Sequence, residues 1–97
     1  MANNYEAMVV YSLKNGEEAL GQLKERMQTL IEQNGTMAED GVKEWGRRFL
    51  KYPINKEPDG YYVLYLFSAP PEFPAEFQRV AGITDGVLRS LVIRQGE

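Results

Sequence analysis

Residues 45–62, WGRRFLKYPINKEPDGYY, are the stretch whose reading decides the fold. Trp45-Gly46-Arg47-Arg48-Phe49-Leu50-Lys51-Tyr52 mixes aromatic and cationic side chains in a strand-like run. Pro53 has no N–H to give and stops ladder pairing. Asn55 to Gly60 reads as the turn, with Pro58 presetting φ and Gly60 supplying a positive φ. Tyr61 to Phe67 resumes as a strand, apolar on both faces. The segment is also distinct in charge. Residues 45–56 hold four cations (Arg47, Arg48, Lys51 and Lys56) and no acid, an island of +4 in a chain of net charge −3.

Upstream, the strand that ends in this island begins weakly at Thr36. Ala38-Glu39-Asp40-Gly41 is polar and predicts a bend or bulge, and Gly46 a second irregularity. In the strong part, Leu50 and Tyr52 are expected on the core side. Before it, Leu20, Leu23, Met27, Leu30 and Ile31 recur at helical spacing. Asn15 stands as N-cap with Glu18 three residues on, and Gly35 as a left-handed glycine closing the helix. Asn4 to Leu13 alternates as a first strand, with Tyr5, Ala7, Val9 and Tyr11 on one face and Met8 and Val10 on the other.

Downstream, a short helix is predicted over residues 72–81. Phe73, Phe77, Val80 and Ala81 form its buried stripe, a proline sits in its first turn, and Gly82 stops it. Val87 to Arg94 is the last strand. The order β-α-β-β-α-β is the ferredoxin-like plan of the α+β class, and residues 1–97 make a single domain. Right-handed crossovers put both helices on one face of a four-stranded antiparallel sheet of order 4-1-3-2. The two basic segments then fall on opposite edge strands. The other sheet face has no helix over it, yet Met8, Val10, Tyr62, Leu64 and Leu66 point there. An uncovered apolar face of this kind marks a partner surface.

Composition narrows the function. The chain of 97 residues has no cysteine and no histidine. Thiolate metal sites, disulfides, nucleophilic triads and histidine acid–base chemistry are therefore excluded. No spacing proposes a carboxylate enzyme, a metal site, a cofactor or a small-molecule substrate. Glu17/Glu18 and Glu39/Asp40 read as helix-start and loop charge. No apolar run is long enough to span a membrane, the start lacks a basic signal region, and a cytoplasmic protein is expected. By segment, residues 1–44 carry −4, residues 57–85 carry −4 and residues 86–97 carry +1.

For the cations of residues 45–56, discouragement of strand addition at a sheet edge is a sufficient reading of any one of them. Their clustering with Trp45, Phe49 and Tyr52 favours RNA, because arginine forks phosphate and aromatic rings stack on unpaired bases. Tyr61 to Phe67 does not match the signature of the single-stranded RNA readers built on this fold. A dimeric ligand-binding or interaction module of ferredoxin-like fold stays open as the alternative.

The pattern Trp45-Gly46-Arg47-Arg48-x-Leu50-x-Tyr52-Pro53-Ile54-Asn55-Lys56, followed by Gly60-Tyr61-Tyr62, closely resembles the bacterial small-subunit (30S) ribosomal protein S-six family. Tyr5-Glu6, the Gly35 helix stop and Val87 to Arg94 extend the resemblance over about residues 4–94. It implies a non-catalytic protein of the ribosome's platform. Such a protein pairs with the small basic ribosomal protein S-eighteen and, with it, binds the central domain of 16S ribosomal RNA. The motif's cations fall on Arg47, Arg48 and Lys56, and those of the last strand on Arg89 and Arg94. Two departures stand out: Ala2-Asn3-Asn4 where many relatives carry a basic residue or two, and only Gln95-Gly96-Glu97 after Arg94.

Overall fold

Alternation of Tyr5, Ala7, Val9 and Tyr11 makes Asn3–Tyr11 the first strand, β1, with those four side chains buried on one face. The structure, a computed structural model, describes residues 2–54 and 56–95. The elements follow as α1 (Gly16–Asn34), β2 (Thr36–Ile54), β3 (Glu57–Ala69), α2 (Phe73–Ile83) and β4 (Val87–Arg94). All pairings are antiparallel and the sheet runs β2-β3-β1-β4, the expected order read from the other edge. α1 packs over β2 and β3, and α2 over β4.

The core lies between the helices and one sheet face. Leu20, Met27 and Ile31 of α1 and Phe73, Phe77 and Ala81 of α2 are buried against Tyr5, Val9, Val63 and Phe67. Phe67 is the hub of an aromatic group, with ring centroids 5.9 Å from Tyr5, 5.8 Å from Phe73 and 6.3 Å from Phe77. Two phenols sit in the same core. The hydroxyls of Tyr11 and Tyr65 bond each other at 2.6 Å, which satisfies both polar tips away from water. Burial pushes the Tyr65 hydroxyl up to about 12 and that of Tyr11 higher still, so both remain neutral in the folded protein.

Residues paired across a ladder project on the same side of the sheet. The register therefore sorts the strands. Tyr61, Val63, Tyr65 and Phe67 share the helix-covered side with β1's buried residues, while Tyr62, Leu64 and Leu66 share the open side with Val10, Met8 and Glu6. On β4, Arg89, Leu91 and Ile93 join the open side, and Val92 and Arg94 the helix-covered side.

Several local expectations change. Asn15 makes no side-chain bond to the helix start. Gly35 is not left-handed: its φ is −163°, an extended conformation open to any residue. What demands glycine there is space, because a Cβ would lie 2.2 Å from the carbonyl oxygen of Ser68. The end of α1 is laid directly on β3. α2 runs past Gly82 to Ile83, and the Thr84 hydroxyl donates to the Val80 carbonyl at 2.6 Å.

The turn also moves. Ile54 pairs with Glu57, so Pro58, Asp59 and Gly60 are strand residues, and Gly60 has no positive φ. The chain reverses between Ile54 and Glu57, where Lys56 is left-handed (φ 67°). Asn55, expected to open the turn, lies outside the described residues. The two irregularities of β2 are present, as register shifts between Met37 and Val42 and between Glu44 and Gly46, the latter with Gly46 at φ 84°.

Gly35→Ala is expected to lower stability by about 1–3 kcal/mol, since the methyl forces α1 and β3 apart. The urea midpoint would show the loss, whereas Gly21→Ala, with nothing within 4 Å of the added carbon, would not.

Candidate nucleic-acid interface

β1 stops pairing with β3 at Tyr11 and Tyr61, but β3 continues back to Glu57 with β2 beside it. The far half of the hairpin therefore projects beyond the central strand. Ser12, just past the end of β1, ties to it by donating its hydroxyl to Glu57 Oε1 at 2.6 Å. This arm carries the cationic island. Leu50 is half-buried, but Tyr52 is 73% exposed, so neither side of the strand at this point belongs to the main core. The alternation that placed Tyr52 inside is real, but no layer of helix reaches that far to cover it.

On the arm, cations and rings pair along the strand. The Arg47 guanidinium carbon lies 5.2 Å from the Phe49 ring centroid, that of Arg48 5.3 Å from Trp45, and Lys51 Nζ 5.7 Å from Tyr52. Each such pair contributes roughly 0.5–1 kcal/mol at an exposed site. The rings stay accessible all the same: Trp45 is 46% exposed and Phe49 76%. Arg47 also donates through Nε to the Asp59 carboxylate.

The cations divide between the two sides of the sheet. Arg48 pairs with Gly60 on the open side, and Arg47 with Tyr61 on the helix-covered side. Arg89 is on the open side and Arg94 on the other. β2 and β4 are the two edges, but the arm leans back over the open face. A hollow of about 630 Å³ is lined by Leu50, Lys51, Tyr52, Tyr62, Leu88 and Arg89. Arg89 thus meets the arm across this hollow, and the two basic segments are not separated as their places in the sheet order implied. Lys56 lies at the arm's tip with Arg47 and Lys14, a residue that sequence reasoning left out.

Of the apolar residues assigned to the open face, Val10 is 2% and Leu64 7% exposed, while Met8, Tyr62 and Leu66 are half-buried. The most accessible apolar groups of that face are Leu91 and Ile93 of β4, 53% and 51% exposed. Their register opposite Met8 and Glu6 puts them there. Among the described residues no acidic cluster is arranged to hold a metal ion, and no helix is long and apolar enough to cross a membrane.

This geometry has relatives. A family model described as ribosomal protein S6 matches residues 4–94. The chain belongs to the ribosomal protein S6 family. It is 47% identical over 90 residues to small ribosomal subunit protein bS6 of Clostridium novyi (strain NT), covering 93% of this chain and 94% of that one. Against bS6 of Caldanaerobacter subterraneus subsp. tengcongensis, identity is 46% over 91 residues, or 94% and 95% of the two chains. The crystal structure of 30S ribosomal protein S6 from Thermotoga maritima superposes with a TM-score of 0.88 at 25% identity, over 98% of this chain and 89% of that one. Membership makes the chain a small-subunit ribosomal protein of the cytoplasm and a structural protein rather than an enzyme.

In this S6-family chain a second polar cluster holds α1 to the sheet where the arm begins. Glu44 Oε1 accepts from Lys24 Nζ at 2.8 Å and from the Tyr61 hydroxyl at 2.6 Å, and Lys24 lies 4.9 Å from the Tyr61 ring centroid. The bonds from Lys24 and Tyr61 hold the Glu44 carboxyl below its ordinary range, and Glu44 in turn raises the Tyr61 hydroxyl. Glu44, with its depressed value, stabilises fully above the ordinary carboxylate range and loses its effect as pH falls through the folded value. Tyr61 is the reverse: its contribution is full below the ordinary phenol range and is lost as pH rises through the folded value. The cluster is exposed, so the effect is at most about 1 kcal/mol. Glu44→Gln should remove that part of the acid destabilisation, read as a smaller drop in urea midpoint between neutrality and about pH 3.

Proposed function

We propose that the protein joins the small basic ribosomal protein S-eighteen through its open sheet face, and that the pair binds the central domain of 16S ribosomal RNA. The observation that carries this reading is the set of exposed and half-buried apolar side chains Met8, Tyr62, Leu66, Leu91 and Ile93 on the side without helices. Arg48 and Arg89 lie on the same side of the sheet, and the hollow against Leu88 offers a seat for an apolar side chain. A face of this composition, with aromatic and aliphatic residues inside a charged border, suits a protein partner.

Electrostatics explains the need for that partner. The chain carries −3 overall, so its long-range field does not favour a polyanion. Its cations can contact phosphate at short range, but a basic companion must supply the attraction that brings RNA in. Family membership supports the ribosomal setting, and the faces on the two sides of the sheet allow protein and RNA to be engaged together.

Filter binding of a 16S central-domain fragment tests the reading. Weak retention by the protein alone and tight, salt-dependent retention with the partner are expected, and tight binding by the isolated protein would overturn it. Leu91→Ser with Ile93→Ser should weaken pair formation at least tenfold with little loss of stability, because both side chains are half exposed. Sedimentation addresses the competing reading, a homodimer through the same face, which predicts a stable dimer of the pure protein.

A further inference from the structure

At the tip of the arm, beyond the end of β1, a hollow of about 460 Å³ gathers three cations from three separate parts of the chain. Lys14 comes from the segment between β1 and α1, Arg47 from β2, and Lys56 from the connection between β2 and β3. Two acids share the hollow, and both already accept a bond: Asp59 from Arg47 and Glu57 from Ser12. Neither ammonium is in an ion pair among the described residues. Arg47 spends Nε on Asp59, which leaves its terminal nitrogens free on a side chain 63% exposed.

Edge protection does not explain this convergence. Lys14 is not on an edge strand, and the left-handed backbone at Lys56 is a poor place for a lysine that serves only to discourage pairing. Phe49, 76% exposed, lies beside Arg47 on the same side of the sheet. Its ring is largely open to water, with the Arg47 guanidinium 5.2 Å from its centroid. Two or three cations around a cleft, next to an open aromatic ring, are what a nucleic-acid strand uses: phosphate in the cleft and an unpaired base on the ring.

We infer that Lys14, Arg47 and Lys56 form a phosphate-binding cleft for a strand of RNA, with Phe49 as the stacking surface for one of its unpaired bases. The inference rests on the function proposed above and divides its labour. RNA is held on the helix-covered side of the arm, while Arg48, Arg89, Leu91 and Ile93 belong to the partner face. Lys14 becomes an RNA contact of the β1–α1 connection.

The test uses the full chain paired with its basic partner and the central-domain RNA fragment, titrated across salt. Lys14→Gln with Lys56→Asn removes two cations, and asparagine tolerates the left-handed backbone at 56. This variant should bind RNA at least tenfold more weakly and shallow the log–log salt slope by about 1.5, from roughly 0.7–0.9 per phosphate contact. Phe49→Ala should cost about fivefold to a hundredfold in affinity and leave the slope unchanged. Neither should alter pair formation measured by calorimetry without RNA. Wild-type affinity and slope in the lysine variant, with the unaltered pair binding tightly, would overturn the cleft while leaving the proposed function standing. Loss of pair formation in that variant would overturn it too, by moving these residues to the partner face. Displacement of RNA by inorganic phosphate beyond the effect of equal ionic strength would mark a small-anion site instead. Failure of the unaltered pair to bind RNA removes the underlying reading, and the cleft with it.

Discussion

The central strand is too short for the hairpin beside it, and the surface chemistry of the protein follows from that mismatch. β1 has 9 residues, against 13 in β3 and 19 in β2. Helices can cover only what the central strands hold in place, so the core ends near Tyr11 and Tyr61. Past that point the β2–β3 pair has a free edge on both sides. Its backbone bonds are internal to the hairpin, and its side chains find no second layer. Gly60 lets the arm begin this departure closely packed: a Cβ there would lie 2.5 Å from Val10 Cγ1. The arm then leans over the open face, forming one hollow with Tyr62 and Arg89 and another with Lys14 at the opposite side.

Most of the fold was legible because its hydrophobic periods are unambiguous. Alternation in β1, the stripe of α1 and the Phe73–Phe77 spacing each specify one face, and the crossover rule turns six elements into one topology. What escaped were features set by contacts between elements. Gly35 has the residue type of a left-handed cap, yet it is required by the carbonyl of Ser68, a neighbour 33 positions away in the chain. Pro58-Asp59-Gly60 has turn composition, but Ile54 pairs with Glu57, so the chain reverses before it, with Lys56 left-handed. Local chemistry tolerated both outcomes, and only the register of β2 on β3 chose between them.

The candidate interface was legible in composition and not in geometry. Charge counting found the island, but not that Arg47 and Arg48, adjacent in sequence, serve opposite sides of the sheet. Lys14 gave no signal at all, standing alone in an acidic segment. Leu91 and Ile93 looked like any apolar strand residues until their register with Met8 and Glu6 placed them on the uncovered side. A pattern of period two says which residues share a face; it does not say which face the helices take.

An exposed edge strand with Phe49 and Tyr52 on its surface would, on apolar grounds alone, invite pairing with another chain. The interleaved cations counter this. Arg47, Arg48 and Lys51 each cover a ring from within the same strand, so the aromatic surface is kept in water beside a charge that resists stacking of a second copy. The same arrangement suits RNA, which brings phosphate to the charge and a base to the ring. Protection of the edge and recognition of RNA are therefore not competing readings of the island. With a net charge of −3, the chain's long-range field does not by itself draw a polyanion to that surface.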